Sequence, residues 1–383
     1  MSRSKKIKKF PIILTLIILI IGITVSILYV AQEGFRNWVD IYILRKDITE
    51  EDIIAIDLDT DKSNQIYVYN KYIAILNNQV IKLYNNYAEE ITSINVNINK
   101  AIFDANEKYL AIAEEGGGEI CLILDKTYLW SNKTEGEILQ IHVNRNGYVA
   151  VITKDSTYKS ILTLYNSDGT QLFKSYFSST KVVDISISND NKYIAIGEID
   201  SSGVIIKSNV KILSVEKAKQ GNKDAFVYTY NAENGRLLTN VKYQSKGKIV
   251  CMYDNSIDVI QNEQNREVFN TNNKNIAFMS VNLNNKAVYV EEENTGVFKT
   301  NSHVNIINTQ DNNISTYNLK EVTKGLYAND DIIAVNVGTE VYFLNSKAWL
   351  IKKYSTRQEI TNIIFSDHIA GVIYKDKIII VNL

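Results

Sequence analysis

A short apolar strand recurs eight times between residues 72 and 371, and this repeat constrains the fold more than any other feature of the sequence. The third residue of each copy falls at position 74, 111, 150, 195, 250, 288, 334 or 370, with steps of 37, 39, 45, 55, 38, 46 and 36 residues. Each copy is apolar at consecutive positions, as in Tyr193–Ile196, so both faces of the strand must be covered. A strand repeat of about forty residues is typical of propeller blades.

A second apolar run follows each of these strands after a turn, and the two runs are expected to form strands b and c of one blade. The intervals leave room for an outer strand d, such as residues 171–176, and an inner strand a, such as residues 182–188. The sequence therefore predicts an all-β fold, an eight-bladed β-propeller of four-stranded antiparallel blades. Seven blades remain possible, because the step from 195 to 250 leaves the register open there.

The last unit stops at strand c with Val381, which leaves the edge of that blade unpaired. Residues 53–58 form a spare strand ahead of the first complete unit, and we expect them to close the ring by joining the last blade. No boundary interrupts the repeat, so residues 52–383 are predicted to form one propeller domain.

Residues 11–31 carry no charge and follow a tail, residues 1–10, with five basic residues. The run is long enough to span a bilayer. Tyr29 occupies the place where a cleavable secretory signal needs a small residue, so an uncleaved signal anchor is favoured. The basic flank predicts a transmembrane helix with a cytoplasmic N-terminus and an extracytoplasmic propeller.

Residues 32–51 are predicted to form a juxtamembrane helical stalk. The helix is expected over residues 34–51, where apolar residues stand at helical spacing, namely Phe35, Trp38, Val39 and Tyr42. Tyr29, Phe35 and Trp38 are also suited to the membrane interface, where aromatic side chains are enriched.

Composition excludes several classes of protein. Without the five basic residues of the tail the chain has 37 basic and 43 acidic residues, so no basic footprint for nucleic acid is present. Cys121 and Cys251 are expected to be unbridged, which is unremarkable in a bacterial envelope protein with a large core. Asn is abundant, as in AT-rich genomes, so Asn-rich loops are weak functional evidence.

No catalytic motif, cofactor motif or spaced metal ligands are recognisable. His142, His303 and His368 are the only histidines, and each falls on a different blade. Trp130 and Trp349 do not recur with the blades, which argues against the Trp-docked quinone enzymes of similar shape. The chain is therefore predicted not to be an enzyme, and no catalytic, cofactor-binding or metal-binding residue is assigned.

The b–c turns all lie on one face of the predicted ring, and they lengthen in blades 2, 3, 4 and 6, at residues 114–119, 154–159, 198–208 and 291–302. Loops added to a rigid scaffold are where binding usually resides, although neutral drift in surface turns explains the pattern equally well. The candidate interaction residues are Glu114, Gly117, Thr157, Tyr158, Asp200, Ser202, Ile205, Glu293 and Phe298.

Six segments spread over nearly the whole chain carry a resemblance to a known family, at residues 35–38, 44–46, 56–59, 195–210, 221–222 and 226–228. They resemble an uncharacterised family of single-pass membrane proteins from low-GC Gram-positive bacteria. That family carries a domain of unknown function, a propeller related to the WD-repeat (WD40-like) and quinoprotein-like groups. The resemblance implies no catalytic residues, because the family has no assigned function.

Three functional hypotheses follow. The first is a membrane-anchored interaction platform in the cell envelope that holds a protein or cell-wall partner on the lengthened turns. The second is a hydrolase or lyase that acts on envelope glycans through acidic residues at the central pore. The third is a ligand sensor that signals through the anchor.

Overall fold

The computed structural model describes residues 9–48, 53–60, 63–233, 235–244, 247–296 and 299–383. In this part of the chain, eight sheets, each with four antiparallel blade strands, form the blades of a propeller. The predicted eight-bladed, all-β fold is confirmed, and the seven-bladed alternative is wrong.

Each blade runs from the inner strand a to the outer strand d. Blade 1 consists of Gln65–Tyr69, Tyr72–Asn77, Val80–Tyr84 and Glu90–Asn95, and blade 2 of Ala101–Asn106, Tyr109–Glu114, Glu119–Leu124 and Thr127–Lys133. Blade 3 consists of Glu137–Val143, Val149–Lys154, Ser160–Tyr165 and Gln171–Phe177, and blade 4 of Lys181–Ile187, Tyr193–Asp200, Lys207–Ser214 and Phe226–Asn231. Blade 5 consists of Leu238–Tyr243, Ile249–Tyr253, Ser256–Gln261 and Gln264–Asn270, and blade 6 of Ile276–Leu283, Lys286–Gly296, Lys299–Asn308 and Ile314–Leu319. Blade 7 consists of Gly325–Asn329, Ile332–Asn336, Glu340–Asn345 and Leu350–Ser355, and blade 8 of Asn362–Phe365, Ile369–Ile373, Lys377–Asn382 and Ile54–Asp57.

The outer strand of blade 8 comes from the start of the propeller rather than from its end. Ile54 pairs with Ile380 and Asp57 with Lys377 in an antiparallel ladder. This pairing covers the edge of the last blade and joins the two ends of the ring.

Apolar layers between neighbouring blades form the core. Strand b is buried on both faces, and its third residue is at most 1% exposed in every blade. In the layer between blades 3 and 4, Ala150 and Leu162 pack with Ile185 and Ile194. The small third residue, Ala in six copies, therefore lies where two sheets approach closely.

The N-terminal helix α1 spans Lys9–Ala31, and its segment Ile13–Ala31 is long and apolar enough to cross a membrane, with mean hydropathy 2.8. A short helix α2, Glu33–Trp38, leads into a π-helical turn, Val39–Ile43. The helical segment is thus shorter than the predicted stalk. Its continuation, Asp47–Ile48, pairs in parallel with Lys353 and Tyr354, because strand d of blade 7 offers an open backbone edge.

Candidate functional site

The turn of blade 2 is fastened to blade 3. The amide of Gly116 donates to the carbonyl of Ile138 at 3.1 Å, and the amide of Ile138 donates to the carbonyl of Gly117 at 2.9 Å. Glu114 ends strand b just before this turn. These backbone bonds hold the predicted residues Glu114 and Gly117 beside the first strand of the next blade.

The turn of blade 3 is ordered by a single carboxylate. Asp155 Oδ1 accepts hydrogen bonds from the amides of Thr157 and Tyr158, each at 2.7 Å. The ring of Tyr158 lies 4.8 Å from that of Tyr176 on the outer strand. Thr157 and Tyr158 therefore belong to a fixed Asx turn rather than to a loose loop.

The hairpin of blade 4 carries the most exposed apolar tip. Asp200 Oδ1 accepts from the amide of Ser202 at 2.9 Å and from its hydroxyl at 2.6 Å, and these bonds lower the pKa of Asp200. Beyond this turn, three consecutive branched apolar residues are exposed. Their relative exposures are 105% for Val204, which is thus fully exposed, 51% for Ile205 and 46% for Ile206.

The predicted turn of blade 6 is largely a strand pair. Strands b and c continue past Glu291, where Glu293 faces Asn301 across the ladder. Glu293 Oε2 lies 3.2 Å from His303 Nε2, and a hydrogen bond to Asn318 helps to raise the pKa of His303. Phe298 lies outside the described residues. The prediction of a long loop here is corrected to a projecting hairpin, because inserted residues that retain strand character extend the ladder.

The b–c turns of the consecutive blades 2, 3 and 4 lie on one face of the ring and are called here the raised face, with residues 115–118, 155–159 and 201–206. Lys159 Nζ donates to the carbonyl of Ser179 at 2.8 Å, and Thr180 Oγ1 donates to the buried carboxylate of Glu198 at 2.8 Å. These bonds join blades 3 and 4 beneath the turns. Glu293 belongs to a separate hairpin two blades away.

On the opposite side of the ring, a cavity of about 590 Å³ lies along the axis. It is lined by the ends of the inner strands and by adjoining a–b turn residues, with contributions from all eight blades. The sequence analysis placed acidic residues at this central channel without naming them, and none of the candidate interaction residues lines it.

The carboxylates of the channel wall hold neighbouring blades together. Asp104 Oδ2 accepts from the amide of Val143 at 2.7 Å, and Asp184 Oδ2 accepts from the amide of Val241 at 2.8 Å. These amides lie on the open edge of an inner strand, where no ladder partner exists. His142 Nε2 lies 3.7 Å from Asp184 Oδ1, while burial raises the pKa of Asp184. The wall carboxylates therefore have structural roles.

The carboxylates at the channel mouth come from blades 2, 7 and 8. This acidic mouth consists of Glu107, Asp330 and Asp367, which line the channel, and the charge of the neighbouring Asp331 also acts on Asp367. Burial raises the pKa of Asp367 to about 6, and the charge of Asp330 raises it further than the other carboxylates do. The side chain of Asp367 is exposed to water, but it faces a channel whose walls are protein, and these walls limit its hydration. Burial also raises the pKa of Asp330.

Turn geometry explains much of this polar composition. Seven of the a–b turns place a residue in the left-handed region, which favours Asn, Asp and Gly. These residues are Asn70, Glu107, Gly147, Asn191, Gly247, Asn285 and Asp330, with φ between 46° and 77°. A sequence signal for the acidic mouth therefore existed, namely carboxylates directly after strand a in blades 2, 7 and 8. It was masked by the general abundance of Asn-rich and Asp-rich turns.

Among the residues that the structure describes, no group of three or more His, Cys, Asp and Glu side chains is arranged to hold a metal ion.

Two solved propellers have similar backbones. The C-terminal WD40 domain of Sif2 matches with a TM-score of 0.58 at 11% identity, over 86% of this chain and 99% of that one. BamB from Moraxella catarrhalis matches with a TM-score of 0.52 at 12% identity, over 86% of this chain and 98% of that one. At these identities the likeness shows the fold alone.

No curated protein matches the sequence. A family profile does match it, over residues 39–383, which include the π-helical turn and the whole propeller. The chain therefore belongs to the family of unknown function DUF5711.

Proposed function

We propose that this protein is a membrane-anchored, extracytoplasmic β-propeller that acts as an interaction platform for an envelope protein or a cell-wall partner. The partner binds on the raised face, and the apolar helix anchors the ring. The basic tail sets the orientation, with the N-terminus in the cytoplasm.

The observation that carries the proposal is the tip of the blade 4 hairpin. Val204, Ile205 and Ile206 expose branched apolar side chains in a row, whereas such residues are usually scattered singly over a surface. The hairpin beneath them is braced through Glu198, which pairs with Lys211 at 2.6 Å. A rigid support reduces the entropy lost on binding, so this tip is suited to inserting into a partner.

The anchor is supported by the exposure of helix α1. No residue of the most apolar window of Ile13–Ala31 is buried against the propeller. A helix of this length and hydropathy needs an apolar environment, and a bilayer supplies it.

The test replaces Val204, Ile205 and Ile206 together with Ser in the full-length chain. After crosslinking in cells, we expect the variant to lose the envelope partners that the unaltered protein retains. The matched control is Ile314→Ser, which removes an Ile that is 51% exposed on the outer strand of blade 6. An unchanged partner set for the tip variant would refute the platform.

A second candidate function is supported by the acidic mouth. A carboxyl group with a pKa of about 6 beside a cavity of about 590 Å³ is suited to general acid catalysis, as a glycan hydrolase or lyase requires. The test incubates the protein with cell-wall glycans and measures new reducing ends. Activity that disappears in Asp367→Asn would favour an enzyme, and equal signals from both proteins would exclude this role for Asp367.

A further inference from the structure

The chain bends sharply where it leaves the apolar helix. Gln32 is extended, with φ −119° and ψ 110°, between helices α1 and α2. The hydroxyl of Tyr29 nevertheless reaches the carboxylate of Asp40 at 2.7 Å. Along an uninterrupted helix these eleven residues would span about 16 Å, farther than the two side chains reach together. The segment after Gln32 therefore turns away from the axis of α1.

Buried contacts fix this bent segment to blade 7. Lys46 Nζ lies 2.7 Å from Asp40 Oδ1 and donates to the carbonyl of Leu350 at 2.5 Å. The ring of Tyr29 meets that of Trp349 edge-on, with centroids 6.0 Å apart. The end of the helix and the ring are thus held together by side chains from both.

The bent segment also carries exposed apolar side chains. Val39 and Asp40 are buried, whereas Trp38 is 49%, Ile43 57% and Leu44 52% exposed. These three residues follow the end of α1 within thirteen positions, so they lie close to where the helix leaves the bilayer. Aromatic and aliphatic side chains at that depth are stabilised in the headgroup layer.

We propose that residues 35–44 lie in the lipid headgroup layer and hold the ring with its channel mouth toward the membrane. The occupant of the apolar surface is thus the bilayer itself. The inference rests on the proposed anchor and adds an orientation to it.

The face that meets the membrane follows from the position of Trp349. This residue lies in the turn between strands c and d of blade 7. Strands a and c of a blade run in the same direction, so c–d turns lie on the same face as a–b turns, where the channel opens. The b–c turns of the raised face consequently point away from the bilayer. Lys347, exposed beside Trp349, adds a positive charge that suits lipid phosphates.

The test uses single cysteines in the full-length chain, reconstituted into bilayer nanodiscs. The native Cys121 and Cys251 are 2% and 0% exposed, so a thiol-reactive fluorophore labels the introduced site. Leu44→Cys probes the bent segment, and Leu19→Cys probes the apolar helix. The matched control Val322→Cys, at a residue that is 47% exposed, lies between blades 6 and 7 on the side of the raised face.

Nitroxide lipids labelled at the headgroup should remove most of the fluorescence at Leu44→Cys, and aqueous iodide should have little effect there. Val322→Cys should show the reverse. A second set of lipids carries the nitroxide in the acyl chain. If these lipids quench Leu19→Cys but Leu44→Cys behaves like Val322→Cys, the proposed anchor is supported and the proposed orientation is refuted. If Leu19→Cys also escapes those lipids, the anchor itself is refuted.

Discussion

The hydroxyl of Tyr29 and the carboxylate of Asp40 are joined by a hydrogen bond of 2.7 Å that connects the last turn of the apolar helix to the segment beyond it. Asp40 is fully buried, and its Oδ2 atom has no hydrogen-bond partner. The ammonium of Lys46 contacts Oδ1 at 2.7 Å. A buried carboxylate compensated by one cation makes this junction sensitive to substitution.

Lys46→Met should loosen the bent segment from blade 7, because it leaves the buried Asp40 without its cation. Removing one partner of a buried pair costs about 3 kcal/mol. Hydrogen exchange measures the effect at the amide of Lys353, which bonds to the carbonyl of Lys46. The exposed pair Lys82–Glu90, 2.8 Å apart, is the control, and Lys82→Met should cost less than about 1 kcal/mol. Unchanged exchange at Lys353 in Lys46→Met would contradict the prediction.

Blade 5 contains a second buried pair. Arg236 Nη2 lies 2.5 Å from Asp258 Oδ1, and the guanidinium stacks 4.2 Å from the ring centre of Tyr253. Asp258→Ala should destabilise the propeller by about 3 kcal/mol, since it leaves the guanidinium of Arg236, which is 11% exposed, without its carboxylate partner.

Thermal melting at one fixed scan rate measures this loss. Glu137→Ala removes a carboxylate that pairs with Lys154 at 2.9 Å, where both side chains are about half exposed, and its melting temperature should barely move. Equal shifts for the two variants would show that burial does not decide the cost.

Asp367 should make the stability of the ring depend on pH. Burial raises its pKa from 3.8 to about 6, so the folded state binds this proton more tightly than the unfolded state does. The contribution of Asp367 to the stability of the ring is therefore greatest below pH 4, and it falls as the pH rises to 6. Asp367→Asn should be more stable above pH 6, by about 1 kcal/mol after screening by solvent at the mouth.

Melting curves from pH 4 to pH 7.5 measure the difference between the variant and the unaltered protein. The difference in stability between the two proteins should grow between pH 4 and pH 6 and stay constant at higher pH. A gap independent of pH would assign the effect to packing rather than to charge.

Both native thiols should resist alkylation while the protein is folded. Cys121 and Cys251 are free and buried, which confirms that they are unbridged. Burial raises the pKa of Cys121 to about 12 and also raises that of Cys251, and only the thiolate reacts. Iodoacetamide at pH 8 should modify neither until denaturant is added, as mass spectrometry would show. Ile205→Cys, at an exposed site, is the positive control.

The positions of the turns on the raised face could be predicted because a hairpin joins residues that are close together in the sequence. The turns of blades 2, 3 and 4 stand where the spacing of strands b and c placed them. In blade 6 the same reasoning was wrong, since an insertion of given length forms either a loop or a longer ladder. Cross-strand pairs such as Glu291 with His303 decide between the two, and these pairs are not readable from length.

The sequence by itself determined the β-propeller fold, the identity of strands b and c and the small third residue of strand b, whereas the structure decided between seven and eight blades. Burial on both faces and turn chemistry are properties of a few consecutive residues, so they can be read locally. Only the tertiary structure decided that Glu107, Asp330 and Asp367 share one channel mouth and that Tyr29 packs on Trp349. Desolvation and Coulomb interactions act through space, and ring closure sets those distances between residues far apart in the chain.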